Sequence, residues 1–495
     1  MLKLSCSNTM HIFLFIMILT ALISGCLTSN DTDGDGLFDD IDNCIQESNP
    51  SQEDFDGDGQ GDACDQDDDS DGVLDELDIF PFNSDESKDS DNDGYGDNED
   101  VFPNDRSESH DSDGDGYGDN IDAFPNYGLE WSDNDGDNIG DNLDDDDDND
   151  GILDITDQFA LTPFTSLNSE GPFNVGSMEL SYMSPRGHEI TIQVWYPTND
   201  ITGDNVVYDS TFGDSGLEDA LPDCSELRPV AMYSHGFPSI RWGSSFLMSH
   251  LASHGFISVA PDHPHMTIWD INIDYFHQAI LSMPSDIKDS FDWLIRQNGI
   301  SGPFENCISP NEGYAMIGQS TGGYNSMLLS GAEILTSDLE DRCNQEELVI
   351  CKIKDNLENN YSNNGISQFK DDRIWGALLL SPWNGSILDQ GISKVGVPTM
   401  ILSGNLDDTT TITEVNNTAF SLGNSLIYYA ILNNSGHYAF APIGCEAYGC
   451  EGLLDIEIST KFANQSAIIF LAGLLNWPNS DEYSLPVEEF VEWQT

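Results

Sequence analysis

Seven copies of one acidic nonapeptide lie between residues 31 and 154, each with aspartate at its first, third, fifth and ninth positions. They are DTDGDGLFD at Asp31, DFDGDGQGD at Asp54, DDDSDGVLD at Asp67, DSDNDGYGD at Asp89, DSDGDGYGD at Asp111, DNDGDNIGD at Asp133 and DDDNDGILD at Asp146. The steps between their starts are 23, 13, 22, 22, 22 and 13 residues. A repeated period of this kind sets the architecture before any other signal is read. From Asp31 to Ala160, 48 acidic residues face two basic ones, Lys88 and Arg106, a net charge of −46. Few apolar residues recur there, chiefly the Phe-Pro of DIFPFN, DVFPND and DAFPN, so the segment cannot bury a core of its own. Left to itself it would be expanded by self-repulsion.

Bound cations remove that repulsion. Ca²⁺ takes about six to eight hard oxygens, and alternating carboxylates with glycine at the turns wrap one ion within a short loop. The candidate ligands are Asp31, Asp33, Asp35 and Asp39, then Asp54, Asp56, Asp58 and Asp62, then Asp67, Asp69, Asp71 and Asp75. The later loops offer Asp89, Asp91, Asp93 and Asp97, Asp111, Asp113, Asp115 and Asp119, Asp133, Asp135, Asp137 and Asp141, and Asp146, Asp148, Asp150 and Asp154. The loop is like the first half of an EF-hand loop without its helices or its distant glutamate. Together with DNCIQESNPSQEDFDGDGQGDACD, Asp42 to Asp65, the array over residues 31–158 resembles thrombospondin type 3 repeats. The resemblance implies structural Ca²⁺, a surface spacer and a cell-surface or matrix partner.

The whole chain has 495 residues and a formal net charge of −75, from 90 Asp and Glu against 15 Lys and Arg, which repels nucleic-acid phosphates. Its N-terminus reads as an export signal. Lys3 precedes the apolar run HIFLFIMILTALI, which is short for a membrane span. The run ends in ISGC, Ile23 to Cys26, which resembles the lipobox of prokaryotic lipoproteins. That resemblance implies a signal peptide over residues 1–25, lipid on the Cys26 sulfur, and a short linker to residue 30. A surface-exposed protein anchored to the membrane follows. Setting aside Cys6 and Cys26, eight of the ten cysteines remain, an even number that suits an oxidising compartment. Proximity pairs Cys44 with Cys64, Cys343 with Cys351 and Cys445 with Cys450, which leaves Cys224 and Cys307 for each other.

After Pro172 the composition changes to strand-like runs alternating with helix-like ones, as in a mostly parallel sheet covered by helices. HEITIQVWYP, RPVAMYSHGF, ISVAPDHPH, GYAMIGQ, IWGALLLSPW and VPTMILSG read as strands. SSFLMSHLASHGF, PSDIKDSFDWLIRQNG (with its proline near the start), TGGYNSMLLSGA and STKFANQSAIIFLAGLL read as helices. The strand GYAMIGQ runs into Ser320 within GQSTGG, the strand–turn–helix context of a G-x-S-x-G nucleophile elbow. A serine hydroxyl needs a histidine to take its proton and a carboxylate to fix that histidine's tautomer. Elbow enzymes place them in the order serine, acid, histidine. After Ser320, TMILSG ends in GNLDD, offering Asp407 or Asp408, and the one histidine that follows is His437 in NNSGHYAF. Backbone N–H groups for an oxyanion hole are expected from Thr321, after the nucleophile, and from Phe237, after MYSHG. His235 and Gly236 shape that turn, and close helix–strand packing at the elbow explains Gly322 and Gly323.

These motifs, with VWYP, YSHGF, LASHGF, VAPDHP, IGQSTGG and GHYAF in order, resemble the dienelactone-hydrolase-like branch of the α/β-hydrolases. The likeness is nearest to the group of platelet-activating-factor acetylhydrolases and cutinase-like polyesterases. It implies an α/β-hydrolase fold over residues 172–480 and hydrolysis of carboxylic esters through an acyl-serine, with no catalytic cofactor. It also favours Asp407, because related hydrolases carry G-x-x-D and Gly404 to Asp407 fits. In this branch Trp383, in LSPWNG, would form an aromatic wall for the acyl group. The nucleophile departs from dienelactone hydrolases proper, which use cysteine. Residues 333–371 are an insertion, either a cap or a surface loop, and residues 481–495 read as a tail. The expected substrate is a small ester, a lipid or a polyester. The rival readings are a serine peptidase of the same fold and a non-catalytic, calcium-binding adhesive protein.

Overall fold

The computed structural model describes residues 30–494 apart from 150–151, 156, 158–159, 162–166, 168, 209–213, 310–312, 345–347, 364–365, 368, 384–386 and 478–482. Residues 1–25, read as a signal peptide, and the candidate residues Cys26 and Asp150 lie outside the described residues. The chain divides between Asp144 and Asp145 into two compact units, so the seventh nonapeptide belongs to the second.

Among the described residues the first unit has neither helix nor strand; it is a succession of turns held by aspartate side chains. In five loops the first carboxylate takes a backbone N–H three residues on, as Asp31 does from Gly34 (2.7 Å) and Asp111 from Gly114 (2.6 Å), while in the Asp67 loop the corresponding N–H, of Ser70, goes to the Asp67 carbonyl (3.1 Å). The carboxylate at position five takes an N–H two residues on, as Asp93 does from Tyr95 (2.8 Å). The chain can turn so tightly because positions four and six are left-handed, with φ of 82° at Gly114 and 99° at Gly116, a conformation that costs glycine little. Successive loops lock together at the 22-residue step. The buried Glu108 accepts from the Asn120 N–H (3.1 Å) and Glu130 from the Asn142 N–H (3.0 Å). Each lies against a glycine, Gly118 or Gly140, where any side chain would collide with it. At the 23-residue step the Cys44–Cys64 disulfide does this work.

The second unit is α/β. Its eleven-stranded sheet runs β13 (Val491–Gln494), β12 (Leu426–Leu432), β11 (Thr399–Gly404), β10 (Ile374–Leu380), β7 (Tyr314–Gln319), β5 (Val230–Ser234), β6 (Ile257–Pro261), β2 (Glu189–Thr198), β1 (Asn174–Met183), β4 (Asp214–Glu218) and β3 (Asn205–Val207). From β12 to β6 all neighbours are parallel; β13 and β2 join antiparallel. Side chains alternate across a strand. Ala231 and Tyr233 of β5 therefore join one core with α1 (Ser245–Ser253) and α8 (Ile456–Leu475). Val230 and Met232 join another core on the opposite face, with Ile287, Phe291 and Leu294 of α2 (Phe276–Asn298). The α2 face is completed by α3 (Thr321–Leu329) and α6 (Ile412–Leu422). α8 is long and apolar enough to cross a membrane, but ten of its residues are buried, eight of them apolar residues of the core it shares with α1.

Three features differ from the sequence reading. α2 begins at Phe276, two turns ahead of Pro284, which sits buried inside the helix. Tertiary burial of Ala279, Ile280, Leu281 and Met283 outweighs the proline's missing N–H. The expected tail supplies β13, which pairs with β12 through Tyr429 to Leu432. The insertion forms α4 (Thr336–Cys343), α5 (Leu348–Asn360) and a small hairpin, β8 (Ser362–Asn363) with β9 (Ile366–Ser367). α5 packs on α2 and buries Ile350, Ile353 and Leu357 in the core, so this part of the insertion is built into the fold. A short helix, α7 (Pro442–Tyr448), follows the loop of His437.

Candidate active site

Each of the three side chains follows the carboxyl end of a parallel strand, the place where open α/β sheets take ligands. Ser320 stands between β7 and α3 with φ 55° and ψ −118°, a region costly for any residue with a Cβ. The strain is held by close packing on every side. A Cβ on Gly322 would come 1.8 Å from the Ser234 carbonyl oxygen, one on Gly318 2.1 Å from that of Gly322, and one on Gly323 2.8 Å from Pro382. The Ser320 N–H donates to the Leu380 carbonyl (2.9 Å), and the Ser320 carbonyl accepts from the Trp383 N–H (3.0 Å).

His437 Nε2 lies 2.9 Å from Ser320 Oγ, and its Nδ1 lies 2.8 Å from Asp407 Oδ2. The remaining capacity of Asp407 is filled by donors: the Thr409 N–H (2.9 Å), the Thr410 N–H (2.7 Å) and the Thr410 hydroxyl (2.7 Å). Burial raises the Asp407 pKa, but the hydrogen bonds from His437 and Thr410 outweigh it and hold the carboxyl below its ordinary value. Asp408, the alternative acid, is exposed to solvent. A carboxylate in this position fixes the proton on Nδ1 and leaves Nε2 free to accept from the serine.

A cavity of about 110 Å³ opens on this row. Ser320, His437, Gln319 and Thr409 form its polar floor, and Phe237, Pro238, Ile268, Tyr438, Ala441 and Ile443 its apolar walls. Among the described residues that line it there is no carboxylate, lysine or arginine. Gly236 approaches the nucleophile closely enough that a Cβ there would lie 3.0 Å from that of Ser320. Among the described residues, neither the Phe237 N–H nor the Thr321 N–H is engaged in a hydrogen bond. Trp383 is placed differently from the aromatic wall the sequence pointed to: it does not line the cavity. Its ring packs against Tyr324 and Phe276, because the hydrogen bond of its own N–H to Ser320 directs the side chain to the α2–α3 side. The α4–α5 helices contribute no lining residue either.

A second serine–histidine–aspartate row lies behind the first. Ser234 Oγ is 2.8 Å from His263 Nε2, and His263 Nδ1 is 2.8 Å from Asp286 Oδ2. All three are fully buried, so no substrate can reach them. The sequence reading missed this row because its members come from β5, the loop after β6, and α2.

In the acidic unit, carboxylate oxygens of positions one, three and five gather within 4.8 Å of one another, for example in Asp31, Asp33 and Asp35 or Asp111, Asp113 and Asp115. Their chemistry fits a hard cation: Asp33 Oδ2, Asp69 Oδ2, Asp91 Oδ2 and both oxygens of Asp113 are buried without a hydrogen-bond donor. Position nine is used otherwise, as Asp39, Asp97 and Asp119 accept the N–H and hydroxyl of the residue at position two. A further carboxylate, at position twelve, went unread. Burial first, then the fifth-position Asp71, Asp93 and Asp115, and then Asp78, Asp100 and Asp122 raise the pKa of Asp69, Asp91 and Asp113 respectively. Asp42 and Asp78 each keep a buried oxygen without a donor. The signal was present, since Asp42, Asp65, Asp78, Asp100, Asp122, Asp144 and Asp157 all stand eleven residues after a loop's first aspartate.

All four expected disulfides are formed, Cys224–Cys307 included. Cys445–Cys450 closes the end of α7, whose Ile443 and Gly444 line the cavity.

Residues 25–52 and 53–88 match the model of the thrombospondin type 3 repeat. Mouse thrombospondin-2 is 68% identical over 37 residues, which is 8% of this chain and 3% of that protein. Mouse cartilage oligomeric matrix protein is 46% identical over 68 residues, 12% of this chain and 9% of that protein. The chain thus spans less than a tenth of the length of these curated relatives. Among solved structures, a ferulic acid esterase from Streptomyces cinnamoneus aligns with a TM-score of 0.44 and 16% identity, covering 65% of this chain and 97% of that one. The chain therefore carries thrombospondin type 3 repeats ahead of an α/β unit.

Proposed function

We propose that the second unit is an α/β-hydrolase acting as a serine ester hydrolase, and that the acidic repeats are a calcium-stabilised spacer before it. The observation that carries the reading is the Ser320–His437–Asp407 row, hydrogen-bonded at 2.9 and 2.8 Å and opening on an apolar cavity. Ser320 Oγ attacks the ester carbonyl while His437 Nε2 takes its proton; Asp407 stabilises the imidazolium. The carbonyl oxygen becomes an oxyanion held by the Phe237 and Thr321 N–H groups. Collapse of the tetrahedral adduct expels the alkoxide, which receives the proton from His437 and leaves an acyl-serine. Water then repeats the sequence and frees the acid. The uncharged, apolar walls suit a neutral acyl or aryl group, in accord with the sequence's likeness to esterases. No step needs a metal.

In the spacer, aspartates at positions one, three, five and twelve would hold Ca²⁺, supplying the charge those crowded carboxylates lack. The repeats support an extracellular location, and the N-terminal apolar run reads as the export signal that would take the chain there. Lipidation of Cys26 would tether it to the membrane. The test is turnover of short p-nitrophenyl esters by the wild-type chain and by Ser320→Ala. Loss of hydrolysis in the variant supports the reading. Turnover of peptides in place of esters would make the unit a peptidase. A wild-type chain inert on both would make it an adhesive protein.

A further inference from the structure

Behind Ser320, the loop expected to supply the Phe237 N–H is pinned by a histidine that touches no substrate. His235 is fully buried. Its Nδ1 lies 2.8 Å from the Gly236 carbonyl oxygen, and its Nε2 accepts the His263 backbone N–H at 3.0 Å. A ring nitrogen that accepts an N–H carries no proton, so the proton sits on Nδ1 and is donated to Gly236. Burial, with His263 as a second cause, lowers the His235 pKa to about 3, so the ring is neutral wherever the enzyme works.

The Gly236 carbonyl and the Phe237 N–H belong to one peptide plane. In a trans peptide they point to opposite sides, so fixing one fixes the other. That peptide lies against the nucleophile, where a Cβ on Gly236 would meet Ser320, and Phe237 lines the cavity with Ser320 and His437. We propose that His235 is a positioning residue of the oxyanion hole: by holding the Gly236 carbonyl, it aims the Phe237 N–H at the developing oxyanion. The inference rests on the ester-hydrolase reading and names the group that readies its oxyanion site.

The buried second row anchors this device. Asp286 accepts the His263 Nδ1–H, so His263 Nε2 accepts the Ser234 hydroxyl, and Ser234 Oγ in turn accepts from Asn325 Nδ2 at 3.0 Å. Arg186 closes the row on the other oxygen of Asp286. Asn325 lies on α3, the helix whose first residue, Thr321, carries the second donor. Both N–H groups are thereby referenced to one fixed point, Ser234, at the end of β5.

The test compares His235→Asn, whose amide nitrogen falls near the place of Nδ1, with His235→Gln, whose polar group reaches only the place of Nε2. In the full-length chain, His235→Gln should lose about 100-fold in kcat, the loss seen when an oxyanion donor is removed, with KM within about threefold. The Ki of a trifluoromethyl ketone, which forms a tetrahedral adduct on the serine, should weaken by the same factor. His235→Asn should stay within about fivefold of wild type on both measures. Equal impairment of the two variants, or a loss confined to KM or thermal stability, would reduce His235 to packing and overturn the inference. A second measurement needs no turnover. With ¹⁵N-labelled histidine, the His235 ring should show a protonated Nδ1 and a bare Nε2 across pH 5 to 9, and a ring that titrates or is protonated on Nε2 refutes the assignment. A wild-type chain that hydrolyses no ester refutes the hydrolase reading itself. An active chain whose His235→Gln variant keeps its kcat refutes only the inference.

Discussion

Replacing Asp407 with asparagine isolates what the carboxylate does. Its oxygens receive four donors and no acceptor: the His437 Nδ1–H and the Thr410 hydroxyl on one, the Thr409 and Thr410 N–H groups on the other. An asparagine must present its NH₂ to one of these two sets. The backbone N–H groups cannot turn away. The Thr410 hydroxyl can, having the Ser381 carbonyl 3.2 Å away as an alternative acceptor. The NH₂ therefore faces His437 and donates to Nδ1. The imidazole proton then moves to Nε2, where it blocks acceptance from Ser320. The shape of the site is kept and the base is lost. The expected fall in kcat is about 10⁴-fold, equivalent to roughly 5.4 kcal/mol of transition-state stabilisation. Asp408→Asn changes an exposed carboxylate with no part in the row and should leave kcat within about twofold. Initial rates on p-nitrophenyl butyrate, with circular dichroism to verify folding, read both variants. An Asp407→Asn enzyme within tenfold of wild type would refute the tautomer argument, and the reverse ranking would transfer the acid to Asp408.

Chelation with EDTA should enlarge the chain's radius of gyration and open the repeats to proteolysis while ester turnover stays unchanged. Small-angle scattering and rates on one sample read this, and loss of activity would reveal a metal in the catalytic unit. Cys26→Ser should shift the protein from the membrane fraction to the soluble fraction, and a wild-type intact mass without lipid would contradict the anchor. Asp286→Asn should lower the unfolding free energy of the α/β unit by roughly 3–5 kcal/mol at pH 7, since it leaves Arg186 and His263 without their buried partner. Burial opposes ionisation, but the nearby His188 ring (3.6 Å), the hydrogen bond from His263 and the charge of Arg186 overcome it and hold Asp286 well below the usual carboxylate range. Its contribution is therefore complete above the unfolded value of about 3.9 and is lost as pH falls through the folded one. The gap between denaturant melts of wild type and variant should accordingly be constant above about pH 5 and narrow steadily as pH falls below about 3.9, and a gap that does not narrow there would contradict the assignment.

Local patterns carried much of this structure. The alternation of apolar runs located the parallel strands, and the order serine, aspartate, histidine located three side chains that the fold brings within hydrogen-bond reach. The resemblance to hydrolases with G-x-x-D favoured Asp407, and it is Asp407 that the fold buries against His437, while Asp408 is exposed. Features made by tertiary packing were not legible. Pro284 reads as a helix start, yet the core holds two further turns ahead of it. Trp383 follows a strand end, as a ligand-binding residue would, but its own backbone bond to Ser320 turns the ring onto Tyr324. Ser234, His263 and Asp286 share no spacing, being joined by three elements that meet only in the folded sheet. The twelfth-position aspartates were legible in principle, since all seven follow the period. Reading the repeat as a nonapeptide ended the motif three residues too early.

The central claim is that Ser320 is acylated, and labelling tests it most directly. The full-length chain, treated with a fluorophosphonate and followed by residual activity and peptide mass mapping, should take up one label per molecule. The label should sit on Ser320, activity should fall in step with its incorporation, and His437→Ala should slow the reaction severely. A chain that keeps hydrolysing esters while unlabelled, or that is inactivated by a label on another residue, would contradict the account.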